Sequence, residues 1–186
     1  AVALAIALPD VAFAGEGGTS HVVAGSVATL ADLPPASAGS FVKAIYLNYD
    51  GSASARLPLA VGLVTNANAN VDTLIVGGGH TFEQTVFGAH YTIAAFQPYA
   101  WMKITADVEA LGGRRITSKV DGFGDTTLMP LMLAWKDGEW QRHFMLPVFA
   151  PTGSYKVGRL GNPGLNYWTF DPTFGLAYSN PKSGFN

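Results

Sequence analysis

The clearest pattern in the chain is the two-residue alternation of residues 166–179, N-Y-W-T-F-D-P-T-F-G-L-A-Y-S. Large apolar side chains occupy the even positions from Trp168 to Tyr178, except at Pro172, and small or polar side chains occupy the odd positions. A period of two puts the two sets on opposite faces of a β-strand. The stripe is longer than the roughly five or six residues of a typical soluble strand. It suits a strand that crosses a bilayer with about 9–11 residues.

Seven further strands are predicted upstream of this stripe. Their hydrophobic runs are separated by polar and glycine-rich stretches. A turn is predicted at residues 51–55, and a polar connection between strands is predicted at residues 66–70. Asp137-Gly138 predicts a tight type I′ hairpin turn. Residues 151–165 predict a long glycine-rich loop. The predicted strands cover residues 41–50, 56–65, 71–82, 89–104, 114–120, 127–136 and 139–150.

Two glycine-containing segments resemble ligand-binding loops only superficially. Gly77-Gly78-Gly79 lacks the Lys-Ser/Thr pair of a phosphate loop, so it indicates a bend or close packing within a strand. Residues 121–125, D-G-F-G-D, lack the further acidic ligands and the terminal Glu of a calcium loop. We therefore predict a turn at 121–125, and no metal site.

Composition changes the picture, because 48% of residues are hydrophobic and only 13% are charged. A soluble domain usually carries about 25% charged residues. No run of about 18 uninterrupted apolar residues is present, so no transmembrane helix is predicted. If the protein enters a membrane, only a closed β-barrel pairs every backbone group in lipid. Cysteine is absent, which excludes disulfides and thiolate metal sites.

The sequence of the first 14 residues indicates an exported protein. Residues 1–14 are an apolar run that ends in Ala12-Phe13-Ala14, an A-x-A cleavage pattern typical of a signal-peptide remnant. A short buried helix is the alternative. We divide the chain into this remnant, an irregular segment at 15–40 and a barrel domain at 41–186. His21 lies in the irregular segment and is predicted to be a polar surface residue.

Aromatic residues near the strand ends are predicted to lie at the membrane interfaces. Trp135 and Trp140 flank the hairpin turn, and barrels place aromatics at such positions, although a soluble hairpin also stacks such a pair across its strands. Trp168 and Tyr178 complete the predicted interface set. The opposite, polar faces of the last two strands predict a lumen lining, which comprises Gln141, His143, Thr169, Asp171 and Thr173.

Several motifs, in this order, resemble the meta-pathway phenol-degradation family. They are G-F-G-D-T-T-L-M-P-L-M-L-A-W (122–135), F-A-P-T-G-S-Y (149–155), G-R-L-G-N (158–162) and N-Y-W-T-F-D-P (166–172), with G-E-G-G-T-S-H (15–21) and L-P-P (33–35) before them. The resemblance is dense from 122 to 178 and sparse from 56 to 110. It implies an all-β fold, an antiparallel up-and-down outer-membrane β-barrel that this chain contains incompletely. It supplies no catalytic residue. Its motif positions Asp125, Pro130, Trp135, Pro151, Tyr167, Trp168 and Asp171 are expected to be architectural.

Three functions remain open from the sequence. The first is an outer-membrane channel or uptake protein for small, aromatic or hydrophobic solutes, with a solute and membrane lipid as partners and without cofactor or catalysis. The second is a soluble, secreted β-sandwich that binds a ligand. The third is an outer-membrane hydrolase that assembles a Ser-His-Asp site in space from His80, His90 or His143, although no G-x-S-x-G or H-E-x-x-H motif is present. Nucleic-acid binding is not expected, because the net charge is −2.

Overall fold

The computed structural model describes residues 21, 37–53, 57–59, 62–108 and 114–178. The predicted signal remnant and nearly all of the predicted irregular segment lie outside these residues. Every regular element in the described part is a β-strand. No helix in the described part is long and apolar enough to span a membrane. The strands are β1 (Gly39–Ala53), β2 (Leu57–Leu59), β3 (Gly62–Val86), β4 (Ala89–Val108), β5 (Arg114–Phe123), β6 (Thr126–Asp137), β7 (Trp140–Ala150), β8 (Thr169–Phe170) and β9 (Thr173–Tyr178).

These strands form one antiparallel sheet with the order β1, β3, β4, β6, β7, β8. β2 also pairs with β3, β5 pairs with β4, and β9 pairs with β7. β5 and β6 therefore follow one another along β4, as β8 and β9 do along β7. The result is an up-and-down meander. Among the described residues nothing pairs the first strand with the last, so this open sheet is consistent with an incomplete barrel, and the predicted all-β antiparallel fold is confirmed.

Residues 66–70 belong to β3, so the prediction of a polar connection there is wrong. β3 continues through them with β1 on one side and β4 on the other. Asn70 lies opposite Asp50 and Ala69 lies opposite Gly51, so polar and small side chains alternate between the two faces. Ladder hydrogen bonds on both sides outweigh the turn preference of asparagine. The predicted turn at 51–55 is also wrong in its first part, because β1 extends to Ala53, and the single strand predicted at 56–65 is two strands, β2 and β3.

Residues 121–125 are an interruption within one pass of the sheet and not a turn. β5 ends at Phe123 and β6 begins at Thr126, and both pair with β4. The break lies beside Pro98, which has no N–H to donate to a ladder. Its carbonyl instead accepts a hydrogen bond from the Gly124 N–H at 2.9 Å. The 114–120 strand and the 127–136/139–150 hairpin are confirmed, with Gly138 at a φ of 59° in the turn.

The two faces of the sheet differ in what they pack against. We call the face that carries Ala94, Met132 and Met145 the inner face, because these side chains form a buried cluster. The glycine triplet confirms the predicted close packing. A Cβ on Gly77 would lie in contact with the carbonyl oxygen of Ala95, and one on Gly79 would meet that of Ile93. The partly buried side chains packed on the cluster are Phe41, Phe96 and Met129.

Candidate functional site

An aromatic row crosses the opposite, outer face of the sheet. Tyr46, Leu74, Tyr99 and Phe123 lie directly opposite one another on β1, β3, β4 and β5. The ring of Tyr99 contacts that of Phe123 at 5.1 Å and that of Trp101 at 4.9 Å. All of the large side chains in this row except Tyr99 are exposed in the described structure. We call it the upper aromatic row.

A second aromatic row lies near the two short turns, 87–88 and 138–139. The predicted interface residues Trp140 and Tyr178 lie opposite each other on β7 and β9, with ring centroids 5.0 Å apart. The indole N–H of Trp135 donates to the Phe87 carbonyl at 3.0 Å. Phe82 stacks on Tyr91 at 5.3 Å. We call this the lower aromatic row, and it contains three of the four predicted interface aromatics.

The outer face between the rows is mostly apolar, although it also carries the exposed side chains of Ser40 and His80, and Arg142 lies opposite Trp135 in the lower row. The segment of β4 from Tyr91 in the lower row to Tyr99 in the upper row is about nine residues long, which matches the length of a membrane-crossing strand. Phe174 remains 68% exposed. The fourth predicted interface aromatic, Trp168, is also exposed and stacks against Phe170 at 6.4 Å. Other exposed apolar side chains of the outer face are Val42, Val76, Ile93, Leu128 and Leu176.

Beyond the upper row the outer face becomes polar. The Tyr99 hydroxyl donates to Asp121 at 2.6 Å, and the Tyr46 hydroxyl donates to Asp72 at 2.5 Å. Further along β4 and β5, Arg115 pairs with Asp107 at 3.0 Å. Hydrogen bonds from Arg115, and then from an asparagine side chain, hold the pKa of Asp107 below its usual value. The apolar band is therefore bounded by charged, hydrated surface.

The structure places the predicted lumen residues on the inner face. Gln141 lies opposite Ala177 and His143 lies opposite Gly175, so both belong to the face that also carries Met145. The His143 ring lies against Gly175, where a Cβ would collide with it. Thr173 lies opposite Met145 and Thr169 lies opposite Phe149. Asp171 lies at the break between β8 and β9, where its N–H donates to the Pro147 carbonyl at 3.0 Å.

Asp125 is the centre of a buried polar cluster at this face. Its side chain is only 1% exposed. One carboxylate oxygen accepts from the Gly153 N–H at 2.8 Å. The other accepts from the Leu165 N–H at 2.6 Å and lies 2.8 Å from Nε2 of His21. A carboxylate that is buried in this way is stabilised by several donors, as a buried charge requires.

His21 is buried, so its prediction as a polar surface residue is wrong. Its side chain is 7% exposed. Because a carboxylate only accepts, Nε2 carries the proton that faces Asp125, and Nδ1 forms a hydrogen bond with the Thr169 hydroxyl at 2.8 Å. The ring stacks on Phe149 at 4.8 Å and meets Tyr167 edge-on at 5.1 Å. Asp125 is 104 residues away in sequence, so no local pattern reports this contact.

The loop at 151–168 lies against the inner face of β4 and β5. Ser154 donates its N–H to the Phe123 carbonyl at 2.7 Å. Leu160 packs against Ala106 and Val108, both fully buried. A Cβ on Gly161 would contact Ile104. The sequence predicts a loop here, and the structure adds that it covers the sheet.

The chain Thr169–His21–Asp125 has the residue types of a hydrolase relay. The His21 side chain, however, is only 7% exposed, and its ring contacts the rings of Phe149 and Tyr167. A nucleophile–base pair must be reachable by substrate, so this geometry favours an anchoring role.

The three histidines considered for a hydrolase show no acidic partner in the described part of the chain. His80 Nδ1 bonds the Ser40 hydroxyl at 2.9 Å. The Nδ1 atoms of His90 and His143 are buried without a partner. No cluster of three metal-ligating side chains occurs in the described residues. Within the residues that the structure describes, none of these histidines lies in a Ser-His-Asp arrangement.

Comparison with known families gives one match. The family described as "Putative MetA-pathway of phenol degradation" matches residues 50–186, which is 137 of the 186 residues. The chain belongs to this family. No curated protein and no solved structure matches the chain. Family membership and the all-β fold are compatible with an outer-membrane protein related to aromatic degradation. The matched region contains Asp125 and Thr169 but not His21.

Proposed function

We propose that the full-length protein is an outer-membrane channel or uptake protein for small aromatic or hydrophobic solutes. The solute moves down its gradient through a lumen whose width and lining select it. No reaction and no cofactor are involved. Outer-membrane lipid contacts the outer face of the sheet, and the solute contacts the inner face.

The outer face carries this proposal. Its exposed apolar band is bounded by the upper and lower aromatic rows, which is the arrangement of a bacterial barrel, where an apolar belt about 25 Å tall lies between aromatic girdles. Soluble monomers rarely expose contiguous apolar patches larger than a few hundred Å². Val42 and Phe174, at opposite ends of the sheet, are both mostly exposed and both on this face. Lipid is the solvent that suits such a surface.

The inner face is apolar at its centre. Met132 and Met145 pack with Phe41 and Phe96 in its buried cluster. Because Met132 is 6% exposed and Met145 is 2% exposed, these side chains build the wall itself. Apolar side chains of this face that remain exposed to a solute include Leu47 and Tyr49 of β1. His143 and Gln141 supply polar contacts on the same face.

The turns support an orientation. Barrels have short periplasmic turns and longer outer loops. The two-residue connections 87–88 and 138–139 lie at the same end of the meander, and the 151–168 loop follows the opposite end of β7. In the proposed channel the two-residue turns face the periplasm, and the long loop belongs to the outer mouth.

The test begins with the full-length protein in washed outer membranes. A folded barrel runs as a compact, faster band on a detergent gel and shifts on boiling. Purified protein in liposomes should then admit small phenols faster than sugars of equal size. Recovery in the soluble fraction without a mobility shift would favour the β-sandwich. A heat-modifiable protein that passes no solute would remove the transport role and leave the barrel.

A further inference from the structure

We infer that the 151–168 loop is a constriction at the outer mouth of the proposed channel and that Asp125 is the positioning residue that holds it against the wall. This inference rests on the proposed function for its effect on solutes, but the placement of the loop is testable without any flux. It assigns to Asp125 a role in setting the size limit of the channel.

The first step is that the loop lies on the wall and does not project from it. The Ser154 N–H bonds the Phe123 carbonyl, so the loop begins as a backbone neighbour of β5. Leu160 reaches Ala106 and Val108 on the inner face of β4. An apolar contact with fully buried side chains anchors the middle of the loop. These contacts lie on the inner face at and beyond the upper aromatic row. The segment therefore occupies space at the outer mouth that an empty channel would leave to solute.

The second step is that the two ends of the loop meet at one carboxylate. Asp125 accepts from the N–H of Gly153, near the start of the loop, and from that of Leu165, near its end. Gly153 and Gly164 also pack backbone to backbone, since a Cβ on Gly153 would lie 2.7 Å from the Cα of Gly164. The loop is thus closed at its base by a charge and by two residues without side chains.

The third step is that the anchor is sealed. His21 covers the second carboxylate oxygen and bonds Thr169 of β8. Lifting the loop would strip donors from a carboxylate that is 1% exposed, and an unpaired buried charge is strongly unfavourable. The loop is consequently a fixed constriction and not a lid that swings during transport.

A labelling experiment tests the placement. The chain has no cysteine, so Leu160→Cys introduces a single thiol. In the parent background a membrane-impermeant maleimide should label position 160 several-fold more slowly than position 157, because Leu160 is partly buried against the Ala106 and Val108 cluster. Val157→Cys is the matched control, since Val157 lies in the same loop and is 70% exposed. Adding Asp125→Asn should speed labelling at 160 and leave 157 unchanged. Equal rates at 160 with and without Asp125→Asn would overturn the inference.

A flux experiment tests the consequence. Asp125→Asn should raise the conductance of the reconstituted full-length channel and admit larger solutes. Asp121→Asn is the control, because Asp121 bonds Tyr99 on the outer face and should leave the size limit unchanged. An unchanged limit in Asp125→Asn would overturn the constriction. No flux in the parent protein would instead overturn the channel, while the labelling result would still decide where the loop lies.

A disulfide between the loop and β4 tests the inference without any change at Asp125, in case the Asp125 variants fail to fold. Leu160→Cys with Ala106→Cys joins the loop to β4 at the cluster of Ala106 and Val108 on which Leu160 packs. Oxidation of this pair should leave flux as it was, because a fixed constriction is already in place. Loss of flux on oxidation, recovered on reduction, would mean that the loop moves and would overturn the inference.

Discussion

The outer face of β7 to β9 and the Asp125 cluster lie on opposite faces of the same sheet and are built in opposite ways. On the outer face, aromatic side chains contact neighbours on the adjacent strand, as Trp140 of β7 contacts Tyr178 of β9. In the cluster, His21 joins partners that are 104 and 148 residues away in sequence. The outer face follows from the two-residue alternation of each strand, whereas the Asp125 cluster forms only when segments distant in sequence come together. Whether the outer face meets lipid or water, and how rigidly the cluster is packed, can therefore be tested separately.

The largest expected effect is on the outer face. Phe174→Arg should cost about 2–4 kcal/mol of folding free energy in lipid, the penalty for a cation on the lipid face of a barrel. Val157→Arg is the control and should stay within about 0.5 kcal/mol, since Val157 is equally exposed but lies in the loop. Urea unfolding in vesicles measures both. A small penalty for Phe174→Arg would mean that this face meets water.

The next effect is at the base of the loop. Gly153→Ala should cost about 3 kcal/mol, because the new Cβ would meet backbone atoms of Gly124 and Gly164, which cannot rotate away. Gly158→Ala is the control in the same loop. It meets nothing within 4 Å but has a φ of 86°, so it should cost only about 1 kcal/mol from backbone strain. The temperature at which each variant loses the compact band on a detergent gel measures both effects. If Gly153→Ala and Gly158→Ala lose the band at the same temperature, the backbone at Gly153 is not closely packed.

A smaller effect belongs to a buried hydroxyl pair on the wall between β3 and β4. Thr81 and Thr92 are both 0% exposed and their hydroxyls lie 2.7 Å apart. Thr81→Val should cost about 1–2 kcal/mol by leaving the Thr92 hydroxyl unpaired, whereas replacing both by valine should be nearly neutral. A double-mutant cycle by urea unfolding measures the coupling. Additive losses would mean that the pair does not act as a unit.

The smallest effect is at the hydrated end of the outer face. Because Arg115 lowers the pKa of Asp107 in the folded protein, the pair stabilises the fold above the usual carboxyl pKa and loses this contribution as pH falls through the lowered value. The urea midpoint of the parent should fall slightly more between about pH 6 and about pH 3 than that of Arg115→Gln. Parallel pH profiles would show that this exposed pair contributes nothing.

The sequence by itself determined the elements whose cause is local. Alternation placed Gln141 and His143 on one face of β7, and Asp137-Gly138 marked the hairpin, because side-chain parity and turn chemistry depend only on near neighbours. The alternation from Trp168 to Tyr178 was found for the same reason, but the single bilayer-length strand predicted there is wrong. The structure has the two short strands β8 and β9, because Pro172 between them has no N–H to donate to the ladder with β7. Family motifs identified Asp125 as architectural without saying what it holds.

Tertiary structure decided what depends on pairing across the sheet. Residues 66–70 are strand because β1 and β4 lie on both sides of them, and residues 121–125 are an interruption because Pro98 lies beside them. His21 is buried because the fold brings it to Asp125, and no periodicity records a contact over 104 residues. Local patterns fix which face a side chain takes, but the free energy of a buried carboxylate depends on donors that only the closed fold supplies.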